Sequence, residues 1–320
     1  MVRGEPTASF TPHAAARDAA ASKHVFGGIL YAGYARALIA AAALRLREAR
    51  LSDGVTRYAD TGKRGRPALL LLHGLTGDLT VWLPAARHLS SRFRLIVPDL
   101  PGHGESDFDP EADYGIAAQS KRVLELLEHL DLEQVCTVGN SMGAWLGCEL
   151  ALRWPTRVSA LMLISPAGLR GRCSSWLDQR VAAGKIPFLA DNEAAYGEFL
   201  GAIMAQPPRV PSCVKRHLLA RHVARLERIS RLYADYAASP SPAPGLKAIS
   251  APVHLLWGSE DRIVAPSACE AWEAALSGTT VEVEKWRSVG HMAMLERPAQ
   301  TAGLISKFLG GASAQGARHG

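Results

Sequence analysis

The sequence predicts an α/β fold: a mostly parallel central sheet flanked by helices, with a helical cap inserted between two of its strands. Short apolar runs alternate with longer helical stretches, the rhythm of strands joined by crossover helices. Several runs are apolar nearly throughout, as strands covered on both faces must be. One connection, from Pro166 to Val253, is far too long for a loop and reads as helical, so it must be a substructure of its own.

In chain order the strand candidates are "ALLLLHG" from Ala68, "RLIVPD" from Arg94, "QVCTVGN" from Gln134, "VSALMLISP" from Val158, "VHLLWGS" from Val253 and "TVEVEKW" from Thr280. Helical patterns fall over residues 83–91, 116–130, 142–154, 266–276 and 298–309. The long connection crowds Arg209, Lys215, Arg216, Arg221, Arg225, Arg228 and Arg231 into its second half. It closes on "SPSPAPG", a Pro-rich hinge back to the sheet. Its apolar residues Trp176, Leu177, Ile186, Phe188, Leu189, Phe199, Leu200, Ile203 and Met204 are candidates for the underside of the cap; the plainer role is the cap's own small core.

The expected organisation is a disordered stretch plus a hydrophobic helix over 1–50, the first part of the α/β core over 51–168, the cap over 169–245, the rest of the core over 246–310 and a disordered tail over 311–320. Residues 1–23 are rich in Ala, Pro and polar types, and the tail "GGASAQGARHG" in Gly, which disfavours a packed structure. "VFGGILYAGYARALIAAAAL", from Val25, is long enough to span a bilayer, but Arg36 near its middle costs about 2.5 to 3.5 kcal/mol on insertion. Arg17 and Lys23 precede it, and Arg45, Arg47 and Arg50 follow. A helix lying among headgroups or packed on the body therefore fits better than a span, and residues 25–47 are the candidate membrane-surface contact. A secretory signal would begin closer to Met1, so the expected location is cytoplasmic or peripheral at a membrane.

With 48% hydrophobic residues the chain can bury a large core, and a net charge of +6 spread along the sequence is not the clustered basic face of a nucleic-acid binder. The five cysteines are scattered without a C-x-x-C and read as free thiols. No metal-ligand spacing occurs, and no cofactor is expected. Nothing in the sequence bears on oligomeric state.

One motif carries chemistry. "VCTVGNSMGAW" from Val135 places Ser141 in G-x-S-x-G, where a strand turns into a helix. At such a turn the serine backbone is strained, the glycines allow close backbone approach, and the hydroxyl stands clear of the strand end. A serine hydroxyl needs a base, and the base an orienting acid, in the order Ser, acid, His for this architecture. "LLWGSEDRIVAP" supplies Asp261 and "WRSVGHMAMLERP" supplies His291, both in loops after strands, where open α/β sheets build sites. Glu260 is the rival acid and reads as a solvated carboxylate. His129, His217, His222 and His254 read as structural.

An oxyanion in acyl transfer needs two backbone N–H donors. Met142, directly after the serine, and Leu75, in "HGLTG" after the Ala68 strand, are the candidates. His73 and Gly74 shape that loop, and His103 in "PDLPGHGESD" reads as a loop residue. Gly74, Asn140, Trp176, Phe188, Phe199 and Met292 are the candidate substrate contacts.

With these residues assembled, the chain resembles the α/β-hydrolase superfamily over about residues 51–309, through "LLLHGLTGD", "DLPGHGES", "GNSMGA", "ALRWPTRVSALMLISPAG", "GSEDRIV" and "GHMAMLERP". Within it the chain is most similar to capped bacterial lipases and esterases and to membrane-anchored monoacylglycerol lipases. The resemblance implies the α/β-hydrolase fold, a lipophilic ester as substrate, Ser141, Asp261 and His291 as catalytic residues, and Leu75 and Met142 as oxyanion donors. Ala144 stands where a second glycine is frequent. "GNSMG" is also similar to hydrolases that split carbon–carbon bonds of ring-cleavage products, but "HGLTGD" departs from their His-Gly-x-Gly-Pro-Gly loop. Ser141 argues against epoxide hydrolases and haloalkane dehalogenases, which use Asp there. A binding-only relative would be expected to lack a triad member.

Overall fold

The structure, a computed structural model, describes residues 12–316, with side chains described over 25–311. The chain opens with helix α1 (Pro12–Ala41) and continues into strands β1 (Arg45–Leu51), β2 (Gly54–Asp60) and β3 (Ala68–Leu72). Helix α2 (Leu83–Leu89), strand β4 (Arg94–Pro98), helix α3 (Ile116–His129), strand β5 (Val135–Asn140), helix α4 (Met142–Arg153) and strand β6 (Val158–Ile164) follow. An insertion then carries α5 (Trp176–Ala182), α6 (Glu193–Ile203), α7 (Ser212–Val223), α8 (Leu226–Ala238) and the short α9 (Ala243–Leu246). Strand β7 (Val253–Gly258), helix α10 (Ala268–Ala275), strand β8 (Val281–Trp286), the short α11 (Ala293–Glu296) and α12 (Pro298–Gly316) complete it.

Among the described residues the sheet has eight strands in the order β1-β2-β4-β3-β5-β6-β7-β8. β2 lies antiparallel to β1 and β4, and every pair from β4 onward is parallel. Parallel pairing puts the carboxyl ends of β3, β5, β6, β7 and β8 on one rim, and the loops leaving that rim carry the candidate residues.

Why the central strands read as unbroken apolar runs is visible in β3. Leu70 and Leu72 enter one hydrophobic cluster, with Val123, Leu126, Leu146, Leu150 and Trp272, while Leu69 and Leu71 enter another, with Trp82, Leu83, Ile305 and Phe308. Successive side chains point to opposite faces, and helices cover both, so every position is buried. Each such leucine contributes about 1.5 to 3 kcal/mol by leaving water.

The sequence expectations need correction at both ends. Helix α1 starts at Pro12, inside the stretch read as disordered, and α12 runs to Gly316, inside the tail read the same way. At the N-terminal end the Ala-rich run from Ala14 is a strong helix former. Residues 1–11 and 317–320, also read as disordered, lie outside the described residues. The sheet also starts at Arg45, not after residue 50: β1 and β2 form an edge hairpin joined at Gly54, whose φ of +115° suits glycine. Among the described residues no helix is long and apolar enough to cross a membrane. Instead, α1 packs on the body. A Cβ on Gly27 would lie 2.1 Å from Cys213 O and one on Gly28 3.0 Å from the His217 ring, so the two glycines let α1 rest directly on α7. Leu38 and Ala42 at its end are buried in the core.

Candidate functional site

Ser141 is the turn between β5 and α4, with φ +57° and ψ −119°. A non-glycine residue there stores about 1 to 3 kcal/mol of strain, and persists only where its surroundings fix it. The Ser141 amide donates to Ile164 O at 3.0 Å, and its carbonyl accepts from Ala144 N and Ala167 N at 3.1 and 3.2 Å. Any Cβ at Gly139 would fall 2.3 Å from Gly143 O, and one at Gly143 would fall 2.4 Å from Leu72 O. The glycines are thus required by backbone packed on backbone. Among the described residues the Ser141 hydroxyl makes no hydrogen bond, and Ser141 opens on a cavity of about 1510 Å³.

His291 lines the same cavity from the loop after β8. Its Nδ1 lies 2.9 Å from Asp261 Oδ2, with both side chains almost wholly buried. Asp261, in the loop after β7, has its other oxygen held by Ile263 N and Val264 N, both at 2.9 Å. The carboxylate is therefore oriented by backbone before it meets the imidazole. With Nδ1 donating to Asp261, Nε2 is left as the free lone pair, the form a general base requires. Glu260 is exposed.

Asn140 lines the cavity, but its side chain is committed elsewhere: Nδ2 donates to Ile164 O at 3.1 Å and to His291 O at 2.9 Å. It ties the strand before the serine to the loop of the histidine.

Gly74 approaches the serine so closely that an added Cβ would lie 3.3 Å from Ser141 Cβ. Its carbonyl accepts from Gly77 N at 3.0 Å and lies 2.8 Å from His73 Nδ1. His73 Nε2 in turn accepts from Leu100 N at 3.0 Å, which assigns the proton to Nδ1. Burial lowers the pKa of this imidazole, keeping it neutral. The Gly74 carbonyl and the Leu75 N–H belong to one peptide plane, so fixing one aims the other. Neither Leu75 N nor Met142 N donates a hydrogen bond among the described residues, and Met142, as the first residue of α4, has no intrahelical acceptor.

The "PDLPGHGESD" turn braces this loop from behind. Asp99 accepts from Leu79 N at 2.7 Å and Glu105 N at 2.8 Å, and a Cβ on Gly104 would sit 2.1 Å from its carboxyl carbon. Burial and the nearby Asp78 raise the Asp99 pKa to about 7. His103, pushed down to about 3 by burial, packs its ring edgewise on His73 at 5.1 Å. Both histidines serve the loop's shape.

Phe188, Phe199 and Met292 line the cavity, as do Leu177, Leu200, Ile203 and Met204. Phe188 and Phe199 meet edge to face at 5.6 Å. Trp176 does not line it. It starts α5 with the guanidinium groups of Arg180 and Arg262 at 5.5 and 5.4 Å from its ring, and its neighbour Leu177 is turned inward instead. Ile186 is 36% exposed and Leu189 packs against the core, so neither lines the cavity. His222 is buried against the Tyr196 ring at 4.9 Å and reaches the cavity wall.

Sequence reasoning missed one wall altogether. Tyr31, Tyr34 and Leu38 of α1 line the cavity, and Tyr31 is pinned by a 2.9 Å hydrogen bond between its hydroxyl and Thr80 Oγ1. The usable signal was Gly27-Gly28 within an apolar helix, which marks close approach to another element. Val25, Phe26 and Ile29, which do not line the cavity, are each more than half exposed, as is Tyr34 at the rim.

Comparison with known proteins places this arrangement in context. The family model for the alpha/beta hydrolase fold matches residues 67–204. Monoacylglycerol lipase abhd6-B of Xenopus laevis is 28% identical over 265 residues, covering 79% of this chain and 78% of that protein. Monoacylglycerol lipase ABHD6 of Homo sapiens is likewise 28% identical with the same coverage. Among solved structures, a bacterial membrane phospholipase A described as a virulence factor superposes with a TM-score of 0.86 at 29% identity, over 93% of this chain and 96% of its own.

Proposed function

We propose that this chain, which has the α/β-hydrolase fold and is similar in sequence to lipases, is a serine carboxylester hydrolase that cleaves lipophilic acyl esters, monoacylglycerols among them, through an acyl-enzyme. The single observation that carries this reading is the hydrogen-bonded pair of Asp261 and His291 facing the cavity on which the strained Ser141 opens. Ser141 Oγ attacks the ester carbonyl while His291 Nε2 takes its proton, and Asp261 holds the imidazole in the needed tautomer. The Leu75 and Met142 amides, free of other acceptors, stabilise the oxyanion. His291 returns the proton to the leaving alcohol, and water then repeats the sequence on the acyl-enzyme to release the acid.

Lipophilic preference is supported by the apolar wall from Phe188, Phe199, Leu200 and Leu38. Contact with a membrane surface through residues 25–47 is supported by the exposed apolar side of α1, which continues into the cavity rim at Leu30 and Tyr34, and by the exposed Arg45 and Arg47 beyond it. The helical insertion over 169–245 acts as the cap that sets acyl-chain fit, and the chain works in the cytoplasm or at a membrane surface.

The test is Ser141→Ala. Hydrolysis of p-nitrophenyl esters and monoacylglycerols should fall by about a million-fold, to background, with the thermal transition nearly unmoved. Turnover retained by this variant contradicts the reading.

A further inference from the structure

The loop that carries His291 is bound to the inserted helices as well as to the sheet. The His291 amide donates to the carbonyl of Ile203, the last residue of α6, at 2.9 Å. Beside this bond the Glu296 carboxylate bridges the same two segments: Oε1 takes the Gly290 N–H at 2.8 Å and Oε2 the Gln206 N–H at 2.9 Å. A Cβ on Gly290 would lie 2.7 Å from Ala205 N and 3.0 Å from Met204 Cα, so backbone 204–205 rests directly on backbone 290. Arg297, next to Glu296, gives its guanidinium to Arg287 O at 2.8 Å. Burial holds the Glu296 carboxyl above its ordinary pKa, although the amides of Gln206, Gly290 and Ala205 pull it down.

Two N–H groups from different segments each take a separate oxygen of this one carboxylate. Glutamine supplies one oxygen and turns an N–H₂ toward the other donor; alanine supplies nothing. Meanwhile the His291 carbonyl is tied to the sheet through Asn140 and its ring to Asp261. Of the anchors on this loop, His291 N is held by the insertion directly, and Gly290 N is linked to it through Glu296, whose second oxygen takes the Gln206 N–H.

Resting on the reading of His291 as the base, we infer that Glu296 is a positioning residue that makes the placement of His291 conditional on the docked insertion. Residues 203–206 then cannot lift away without loosening the base, and substrate must enter past another part of the roof.

The experiment uses the full chain and compares Glu296→Ala, Glu296→Gln and Gly290→Ala with the parent and with His291→Ala. Steady-state hydrolysis of a p-nitrophenyl ester is read per active site, with active sites counted by fluorophosphonate titration. Glu296→Ala should lower kcat per titrated site by about 10- to 100-fold with KM changed less than about threefold. Glu296→Gln, which keeps one acceptor, should recover part of the loss. Gly290→Ala keeps the carboxylate group but sets a methyl group 2.7 Å from Ala205 N and 3.1 Å from Glu296 Oε1, so it pries the insertion and the bridge off the loop and should lose kcat in the same way. If Glu296→Ala fails to fold, Gly290→Ala carries the test alone. Parent kcat per site in these variants, with His291→Ala inactive, overturns the inference and leaves the proposed function standing. Turnover retained by His291→Ala overturns the functional reading itself.

Discussion

Beneath Ser141 the cavity is built from backbone, whereas its roof is built from side chains. The floor consists of strand ends and turns in which glycines at 74, 139 and 143 admit carbonyls and amides that any Cβ would displace. Asp261 and Asn140 are likewise seated by backbone groups. The roof turns side chains of α1, α6 and α7 toward the cavity; α1 is far in the chain from the other two, rests on α7 where Gly27 meets the Cys213 carbonyl, and is tied to the body by the single polar contact of Tyr31 with Thr80. The floor has one geometry and tolerates no intrusion. The roof has a shape that volume changes can remodel.

That contrast can be broken most severely at the floor. Gly143→Ala puts a methyl group 2.4 Å from Leu72 O and 2.6 Å from His73 O, both backbone. Ester turnover should fall by about 100-fold or more, because a displacement near 1 Å at the nucleophile suffices for that. Activity within a few-fold of the parent would show that the turn can relax and that the floor is less rigid than described.

At the roof a smaller and more selective effect is expected. Leu38→Ala removes a buried side chain that also faces the cavity, and should lower stability by about 2 to 3 kcal/mol in urea unfolding. Among p-nitrophenyl esters, the ratio of kcat/KM for long over short acyl chains should shift by about 3- to 10-fold, roughly one methylene's worth of contact. A uniform loss across chain lengths would deny α1 a share in the acyl site.

Smallest of all is Trp176→Ala. Its ring lies between Arg180 and Arg262, away from the cavity, so kcat and KM for the same esters should stay within about twofold. A large change in KM would return Trp176 to the substrate contacts.

The same division explains what could be read in the sequence. A strand covered on both faces must be apolar at every position, so β3 to β7 announced themselves, and a strained turn must have glycines, so Ser141 did as well. Asp261 and His291 followed because the loops after β7 and β8 were placed once the strands were. Trp176 was misjudged because an apolar residue on an inserted helix gives no hint of which side of that helix it occupies; Leu177, one residue on, took the inward position. The β1–β2 hairpin hid in a run of Arg, Leu and Ala that continues the composition of α1, and the Ser-Asp-Gly at 52–54 was its turn signal. The α1 wall of the cavity depends on tertiary packing between residues near 30 and near 215: Gly27-Gly28 marks a close approach, but no local pattern names the partner.

The central claim is that Ser141 is an activated nucleophile, and one measurement addresses it without assuming any substrate. The full chain is treated with a fluorophosphonate, digested, and the modified peptide located by mass spectrometry, alongside Ser141→Ala and His291→Ala. A single phosphonyl adduct on Ser141, absent from the first variant and strongly slowed in the second, is the expected result. An adduct elsewhere, or none on the folded parent protein, would contradict it.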